Sequence, residues 1–171
     1  RGIMTFFNDK TDGKEDWITP RSIIESLGEF DLDPCCSMTQ PYLIGKINYN
    51  KNDNGLEKEW IGRVFLNPPY GNKTGLWLKK LSNHGNGIAL IFARTETKMF
   101  FDYVWNSADS ILFLKGRVTF LQPCGNLGKF TAGAPSCLIA YGEENTKYLK
   151  NSNLKGKFIK LCNNKYTIME K

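Results

Sequence analysis

The chain of 171 residues carries a formal net charge of +6, and 41% of its residues are hydrophobic, which suits one globular domain with a polyanionic partner. No apolar run approaches the roughly 20 residues of a membrane span, and the first residues lack a signal-peptide pattern, so we expect a cytoplasmic, intracellular protein. One histidine and five cysteines without a CxxC spacing argue against a metal site, a disulfide framework and histidine-based catalysis.

The first third of the chain predicts an arm, a helix and two short strands. Residues 1–14 are predicted to be a flexible N-terminal arm, and residues 15–171 a single domain. Thr19 is a good N-cap, Pro20 suits the first helical position, and Gly28 is expected to end that helix. A strand is predicted over residues 30–33 and another over 46–50, followed by a turn at 53–56.

The remaining elements alternate between helices and apolar strands. The segment 63–66 is a strand that must end at the following prolines. Residues 75–82 predict a helix with Leu76, Leu78 and Leu81 on one side, and 95–106 a second amphipathic helix. Further predictions are strands at 87–93, 111–116 and 136–142, a long glycine-rich loop at 122–135, and a hairpin around residues 163–164.

This alternation predicts an α/β domain with a largely parallel central sheet and an antiparallel end. Ligands of such sheets bind at the carboxyl ends of the strands. Two of the predicted strands end in proline-containing corners, Asp33-Pro34 and Asn67-Pro68-Pro69. If both strands belong to the sheet, both corners lie on one edge.

The corner Asn67-Pro68-Pro69-Tyr70 suits a planar ring that bears an amine. Each of the first two residues precedes a proline, which stiffens the backbone. The Asn67 amide oxygen and the Pro68 carbonyl oxygen are therefore two fixed acceptors for the two N–H groups of an exocyclic amine, and Tyr70 offers an aromatic face. Accepting both hydrogens frees the nitrogen lone pair, so an electrophilic methyl group could be taken by direct displacement.

A purely structural interpretation exists for each of these features. The corner can be a turn, Thr19-Pro20 a helix cap, and Asp33-Pro34 the end of a strand. Trp60 and Trp77 are expected in the core, because large aromatic side chains are mostly buried. Arg94 and Thr95 either contact nucleic acid or cap the next helix.

Several motifs in order give the chain a family resemblance. DWITP (16–20), FDLDPCCS (30–37), DNGLEKEW (53–60), FLNPPYG (65–71) and the later Gly116-Arg117 with Phe120 resemble the phage-type Dam family of DNA N6-adenine methyltransferases. The resemblance covers roughly residues 14–142. It implies a Rossmann-like methyltransferase fold, S-adenosylmethionine as cofactor, and a phage protein inside a bacterial host as one origin.

The resemblance also implies roles for individual residues. The corner residues Asn67, Pro68, Pro69 and Tyr70 match the catalytic motif. The residues that match cofactor-binding positions are Trp17, Thr19, Pro20, Asp33, Pro34, Cys35 and Asp53. One departure is that residues 31–44 contain no glycine, although methyltransferases commonly have a glycine-rich cofactor loop there.

The partner implied by the resemblance is double-stranded DNA. The target base must be flipped out of the stack, which costs a few kcal/mol that phosphate contacts offset. Arg94, Arg117 and Lys129 are the expected DNA-facing residues. Two alternatives stay open: the same corner acting on an RNA base or a protein glutamine, and a non-catalytic nucleic-acid-binding module.

Overall fold

The computed structural model describes residues 17–121 and 127–161, and only the backbone of residues 127–130. The predicted arm and the second strand of the hairpin around residues 163–164 lie outside this part. The helices are α1 (Arg21–Glu25), α2 (Thr74–His84), α3 (Lys98–Phe100), which continues as a π-helix (Phe101–Trp105), and α4 (Glu143–Asn151). The strands are β1 (Phe30–Asp33), β2 (Gly45–Asn48), β3 (Val64–Leu66), β4 (Gly87–Phe92), β5 (Ser110–Leu114), β6 (Thr119–Leu121), β7 (Leu127–Thr131), β8 (Ser136–Tyr141) and β9 (Gly156–Lys160).

Seven of these strands form one sheet in the order β2-β1-β3-β4-β8-β5-β9. The pairs along β2-β1-β3-β4 are parallel, whereas β8 is antiparallel to β4 and to β5, and β9 is antiparallel to β5. The α/β class is confirmed. The sheet also has the expected antiparallel end, but this end takes up half of the sheet. The chain returns from β5 through β6 and β7 to β8, which lies antiparallel between β4 and β5, and β9 is antiparallel to β5.

The sheet has a switch point between β1 and β3. The chain leaves β1 towards β2 on one side and then returns to place β3 on the other side. Leu32 is paired with Val64 across the two central strands, so both proline corners extend from the same edge, as the sequence predicts. Connections that diverge in this way leave a crevice beyond the carboxyl ends of the strands.

Side-chain alternation divides the core into two layers. Leu32, Leu66 and Ile91 pack on one face against α2 and the π-helix. Phe65, Leu90 and residues of α1 and α4 pack on the other. Strand β4 is buried on both faces from Gly87 to Ile91, which explains its continuous apolar sequence. These two layers hold the carboxyl edge of β1 and β3 rigidly.

Three local predictions need correction. Pro20, rather than Thr19, is the N-cap of α1, and no side chain caps that helix. On α2 the buried apolar residues are Trp77, Leu78 and Leu81, whereas Leu76 is 54% exposed. The helix predicted over 95–106 begins at Lys98 and widens into a π-helix.

The second half of the chain contains three elements that the sequence pattern did not indicate, namely β6, β7 and α4. The segment predicted as a loop contributes strand β7, which pairs with β6 as a separate two-stranded ribbon. Helix α4 was not predicted, because its buried positions include Asn145 and Thr146 rather than an apolar stripe. Asn145 instead accepts a 2.6 Å hydrogen bond from the buried Arg63 guanidinium.

Candidate active site

A cleft of about 580 Å³ opens at the carboxyl edge of β1 and β3. Its size is that of a site for a small organic ligand. Three chain segments and two aromatic side chains form its wall. The lining residues are Trp17, Pro34, Cys35, Cys36, Ser37, Asn50, Lys51, Asn54, Gly55, Leu56, Asn67, Pro68, Pro69, Tyr70, Gly71, Asn72, Lys73 and Trp77.

The side chain of Asn67 is held in one orientation. Its amide nitrogen donates a 2.6 Å hydrogen bond to the main-chain carbonyl of Trp17. A carbonyl can only accept, so the NH₂ group must face Trp17 and Oδ1 must point away from it. The Tyr70 hydroxyl donates to that oxygen at 3.3 Å, which is long for such a bond, so Oδ1 keeps acceptor capacity. The role of the Trp17 carbonyl had no signal in the sequence.

Neighbouring side chains brace the backbone of this corner. The Thr74 hydroxyl donates to the Pro69 carbonyl at 2.8 Å and accepts from the Gly71 N–H at 3.0 Å. On the other side, the Cys35 thiol donates to the Asn67 carbonyl at 3.2 Å. Burial raises the pKa of that thiol well above its ordinary value, so it stays protonated and able to donate. The corners of β1 and β3 are thus joined directly.

Tyr70 forms a rigid aromatic wall of the site. Its ring stacks on Phe92 with centroids 4.1 Å apart and planes inclined by 24°, and the edge of Phe120 approaches at 6.3 Å. Because Phe92 covers one face, only the opposite face can receive another ring. Burial raises the pKa of the Tyr70 hydroxyl far above its ordinary value, so this group serves as a donor and not as a base.

Asp33 lies behind the cleft wall at the end of β1. Its side chain is almost fully buried, and its carboxylate accepts a 3.1 Å hydrogen bond from the Cys35 N–H. Desolvation raises the pKa of Asp33 to about 7, although hydrogen bonds from Cys35 and Gln40 oppose this shift. Asp33 is not among the cleft-lining residues, whereas the adjacent Pro34 and Cys35 are.

Three other predicted cofactor residues also lie outside the cleft lining. Thr19 is buried, and its hydroxyl has no hydrogen-bond partner in the described part of the chain. Pro20 begins α1. The Asp53 carboxylate accepts a 2.9 Å hydrogen bond from the Asn50 N–H, so it closes the turn that brings Asn50 and Asn54 to the cleft.

The turn over residues 53–58 is pinned against the end of β1. A Cβ atom on Gly55 would collide with the Pro34 carbonyl oxygen, so only glycine permits this close approach. The Trp60 indole donates to the Gly55 carbonyl at 2.8 Å. The Lys80 ammonium donates to the Leu56 carbonyl at 2.7 Å and to the Lys58 carbonyl. Sequence reasoning placed Trp60 in the core correctly but missed Lys80.

Two of the three residues expected to face DNA follow strands that point towards the same edge as the cleft. Arg94 comes just after β4 and Arg117 just after β5, and both are exposed. Lys129 lies on β7, and its side chain is outside the described part. Two further cations, Lys51 and Lys73, line the cleft, and the sequence did not single them out.

Residues 17–121 and 127–161 contain neither a metal-binding cluster nor a membrane-spanning helix. No group of three or more His, Cys, Asp or Glu side chains has the arrangement of a metal site there. No helix in those ranges is long and apolar enough to cross a membrane.

Comparison with known families agrees with the geometry of the corner. The family model described as DNA N-6-adenine-methyltransferase (Dam) matches residues 8–164, which is most of the chain and includes every cleft-lining residue. No individual curated protein and no solved structure matches the chain. The chain therefore belongs to the DNA N-6-adenine-methyltransferase (Dam) family.

Proposed function

We propose that this protein transfers a methyl group from S-adenosylmethionine to the N6 amine of adenine in double-stranded DNA. The observation that carries the proposal is the orientation of Asn67. Its NH₂ group is bound to the Trp17 carbonyl at 2.6 Å, which leaves the amide oxygen as an acceptor beside the cleft. Family membership implies the reaction, and this fixed acceptor is the group that the reaction requires.

Each residue of the corner has a separate task in the proposed reaction. The Asn67 amide oxygen and the Pro68 carbonyl accept the two N–H groups of the target amine, which localises the lone pair on nitrogen. Tyr70, backed by Phe92, holds the base plane and excludes water. A new N–CH₃ bond then forms, and the amine releases one proton to solvent. When bound, S-adenosylmethionine would supply the electrophilic methyl group, and the electrons of the S–CH₃ bond would stay on sulfur as a thioether.

The cleft-lining residues fit such a cofactor. Trp17, Leu56 and Trp77 provide apolar and aromatic surface for a nucleoside. Ser37, Asn50 and Asn54 provide uncharged hydrogen-bonding groups, and the Lys51 ammonium suits a carboxylate. Among the described lining residues none is acidic. We propose that Asp33, Thr19, Pro20 and Asp53 act on the cofactor by shaping the wall from behind.

The fold supports the same proposal. Strands β1 to β5 run in one direction within the seven-stranded sheet, and β8 is inserted between β4 and β5 in the opposite direction. This arrangement is compatible with a Rossmann-like methyltransferase domain spanning residues 15–171. The cleft at the switch point is where such a sheet binds nucleotides.

Two rival functions predict different substrates. A corner acting on an RNA base or a glutamine amide would use the same acceptors, and a non-catalytic module would bind DNA without the cofactor. The test measures cofactor binding by calorimetry and then labelled methyl transfer to unmethylated DNA, RNA and glutamine-rich protein in parallel. Transfer to DNA alone supports the proposal. Label on RNA or protein alone contradicts it, and an absence of cofactor binding supports the module.

A further inference from the structure

Lys115, Arg117 and Lys155 form what we call the basic corner. Like the cleft, it lies beyond the carboxyl ends of the parallel strands, but it is next to β5 and β9 rather than β1 and β3. The N–H of Lys115 donates a 2.8 Å hydrogen bond to the carbonyl of Lys155, which holds the two residues side by side. Gly116, with φ of 83°, turns the chain after β5, and Arg117 comes directly after this turn. All three side chains are exposed.

These three cations are not neutralised. Within the described ranges, none of them forms an ion pair with a carboxylate. The opposite end of the same strand β9 differs, because Lys160 pairs with Glu143 of α4 at 3.2 Å. Among the described residues, the cations at the start of β9 are thus unpaired with carboxylates, whereas Lys160 at its end is paired.

The order of the strands sets the distance between the basic corner and the corner at Asn67. Lys115 follows β5, and Lys155 precedes β9, which pairs with β5. Strands β5 and β9 lie three and four positions from β3 in the sheet. At about 4.8 Å per strand these steps correspond to roughly 14 and 19 Å. Since a duplex rises about 3.4 Å per base pair, this is a span of roughly four to six base pairs.

We propose that the basic corner binds the phosphate backbone of the DNA duplex about four to six base pairs to one side of the target adenine. The proposal rests on the proposed function, because it takes the Asn67 corner as the position of the flipped base. Phosphate contacts of this kind fix the register of a protein on a duplex without reading its sequence. The basic corner therefore contacts the duplex on one side of the target adenine only, and this contact orients the enzyme on its substrate.

The test uses the Lys115→Gln/Lys155→Gln double variant beside a matched control, Lys79→Gln/Lys160→Gln, which removes the same charge elsewhere. The methylated adenine is mapped first in the parent. Binding is then measured by fluorescence anisotropy at several salt concentrations on unmethylated duplexes that contain the site. One duplex has three base pairs on each side of the adenine, and two others extend to ten base pairs on one side or the other.

We expect the parent to gain affinity on one of the extended duplexes only. The double variant should lose that gain, and its slope of log K against log salt should fall by about 1.8, or 0.9 for each lost phosphate contact. The control should keep both properties. Equal gains and slopes in parent and double variant would overturn the proposal, as would a parent that binds no duplex. The same salt titration on a long duplex of random sequence separates the surface from the reaction: if only the double variant loses slope there but the parent transfers no methyl group, the surface is supported and the proposed reaction fails.

Discussion

The side-chain amide of Asn67 and the main-chain carbonyl of Trp17 are joined by a 2.6 Å hydrogen bond across 50 residues of sequence. This bond determines which atom of Asn67 faces the substrate. Trp17 is held in turn by the ribbon, since Ile18 forms a bridge with Leu121 and the Trp17 ring meets Phe120 edge-on at 5.6 Å. The Asn67 amide is therefore supported by the N-terminal segment as well as by its own strand.

Asn67→Asp should lose most of its activity at neutral pH. A carboxylate oxygen would face the Trp17 carbonyl oxygen, and two acceptors repel each other. We expect kcat to fall by roughly 10²- to 10³-fold, as for the loss of an oriented catalytic dipole. Lowering the pH should restore part of the activity, because a protonated carboxyl can donate to Trp17. A variant with parental kcat at pH 8 would contradict this role of Trp17.

Asp33→Asn should change the pH dependence of stability. The folded-state pKa of Asp33 is raised from 3.8 to about 7 by burial, so the folded protein holds a proton that the unfolded chain releases. The stabilising contribution of Asp33 is complete below pH 4 and is lost as the pH rises through about 7, by at most about 4 kcal/mol. Denaturant titrations of parent and variant between pH 4 and 8 should therefore diverge, with the variant flatter. Parallel profiles would show that Asp33 does not hold this proton.

Gly55→Ala should weaken cofactor binding. The added methyl group would collide with the Pro34 carbonyl oxygen, so the turn over 53–58 must move away from the end of β1, at a cost of about 1–3 kcal/mol. Gly75→Ala is the matched control, because its Cβ would make only ordinary contacts with Met99. Calorimetry with S-adenosylmethionine should show a loss for the first variant only. Equal affinities in both variants would show that the turn does not shape the site.

Lys80→Met should raise the KM for the cofactor about ten-fold and leave kcat nearly unchanged. Lys80 contacts the carbonyls of Leu56 and Lys58, so it positions a cleft-lining turn and touches no reacting atom; hydrogen bonds from charged groups are worth about 1.5–3 kcal/mol. Lys79→Met, on the exposed side of α2, should leave the KM unaltered. A fall in kcat at saturating cofactor, with the fold intact by circular dichroism, would refute a positioning role.

The site could be predicted from the sequence where local rules act. Proline ends a strand in any context, so the corners at Pro34 and Pro68 were predictable. Their position on one edge followed from the condition that both strands belong to one parallel sheet. The continuous apolar run of β4 was equally informative, because such a run is typical of a strand that is buried on both faces.

Long-range contacts left no local signal. Thr19 looked like an N-cap, but tertiary packing buried its hydroxyl and started α1 one residue later. The Asp53 carboxylate closes a turn by accepting from the Asn50 N–H, which the sequence did not indicate. The glycines in and around β7 favoured a loop prediction instead of the antiparallel ribbon with β6. Helix α4 was missed because its buried positions include the polar Asn145. In each case the partner lies far away in sequence or is a backbone group.

The most direct test of the account is nucleoside mass spectrometry of unmethylated DNA incubated with S-adenosylmethionine and either the parent or the Asn67→Ala variant. We expect N6-methyladenine with the parent and a loss of at least about 100-fold with the variant, while both bind the cofactor equally. Equal N6-methyladenine from both proteins would contradict the central claim that the Trp17-anchored amide of Asn67 holds the target amine.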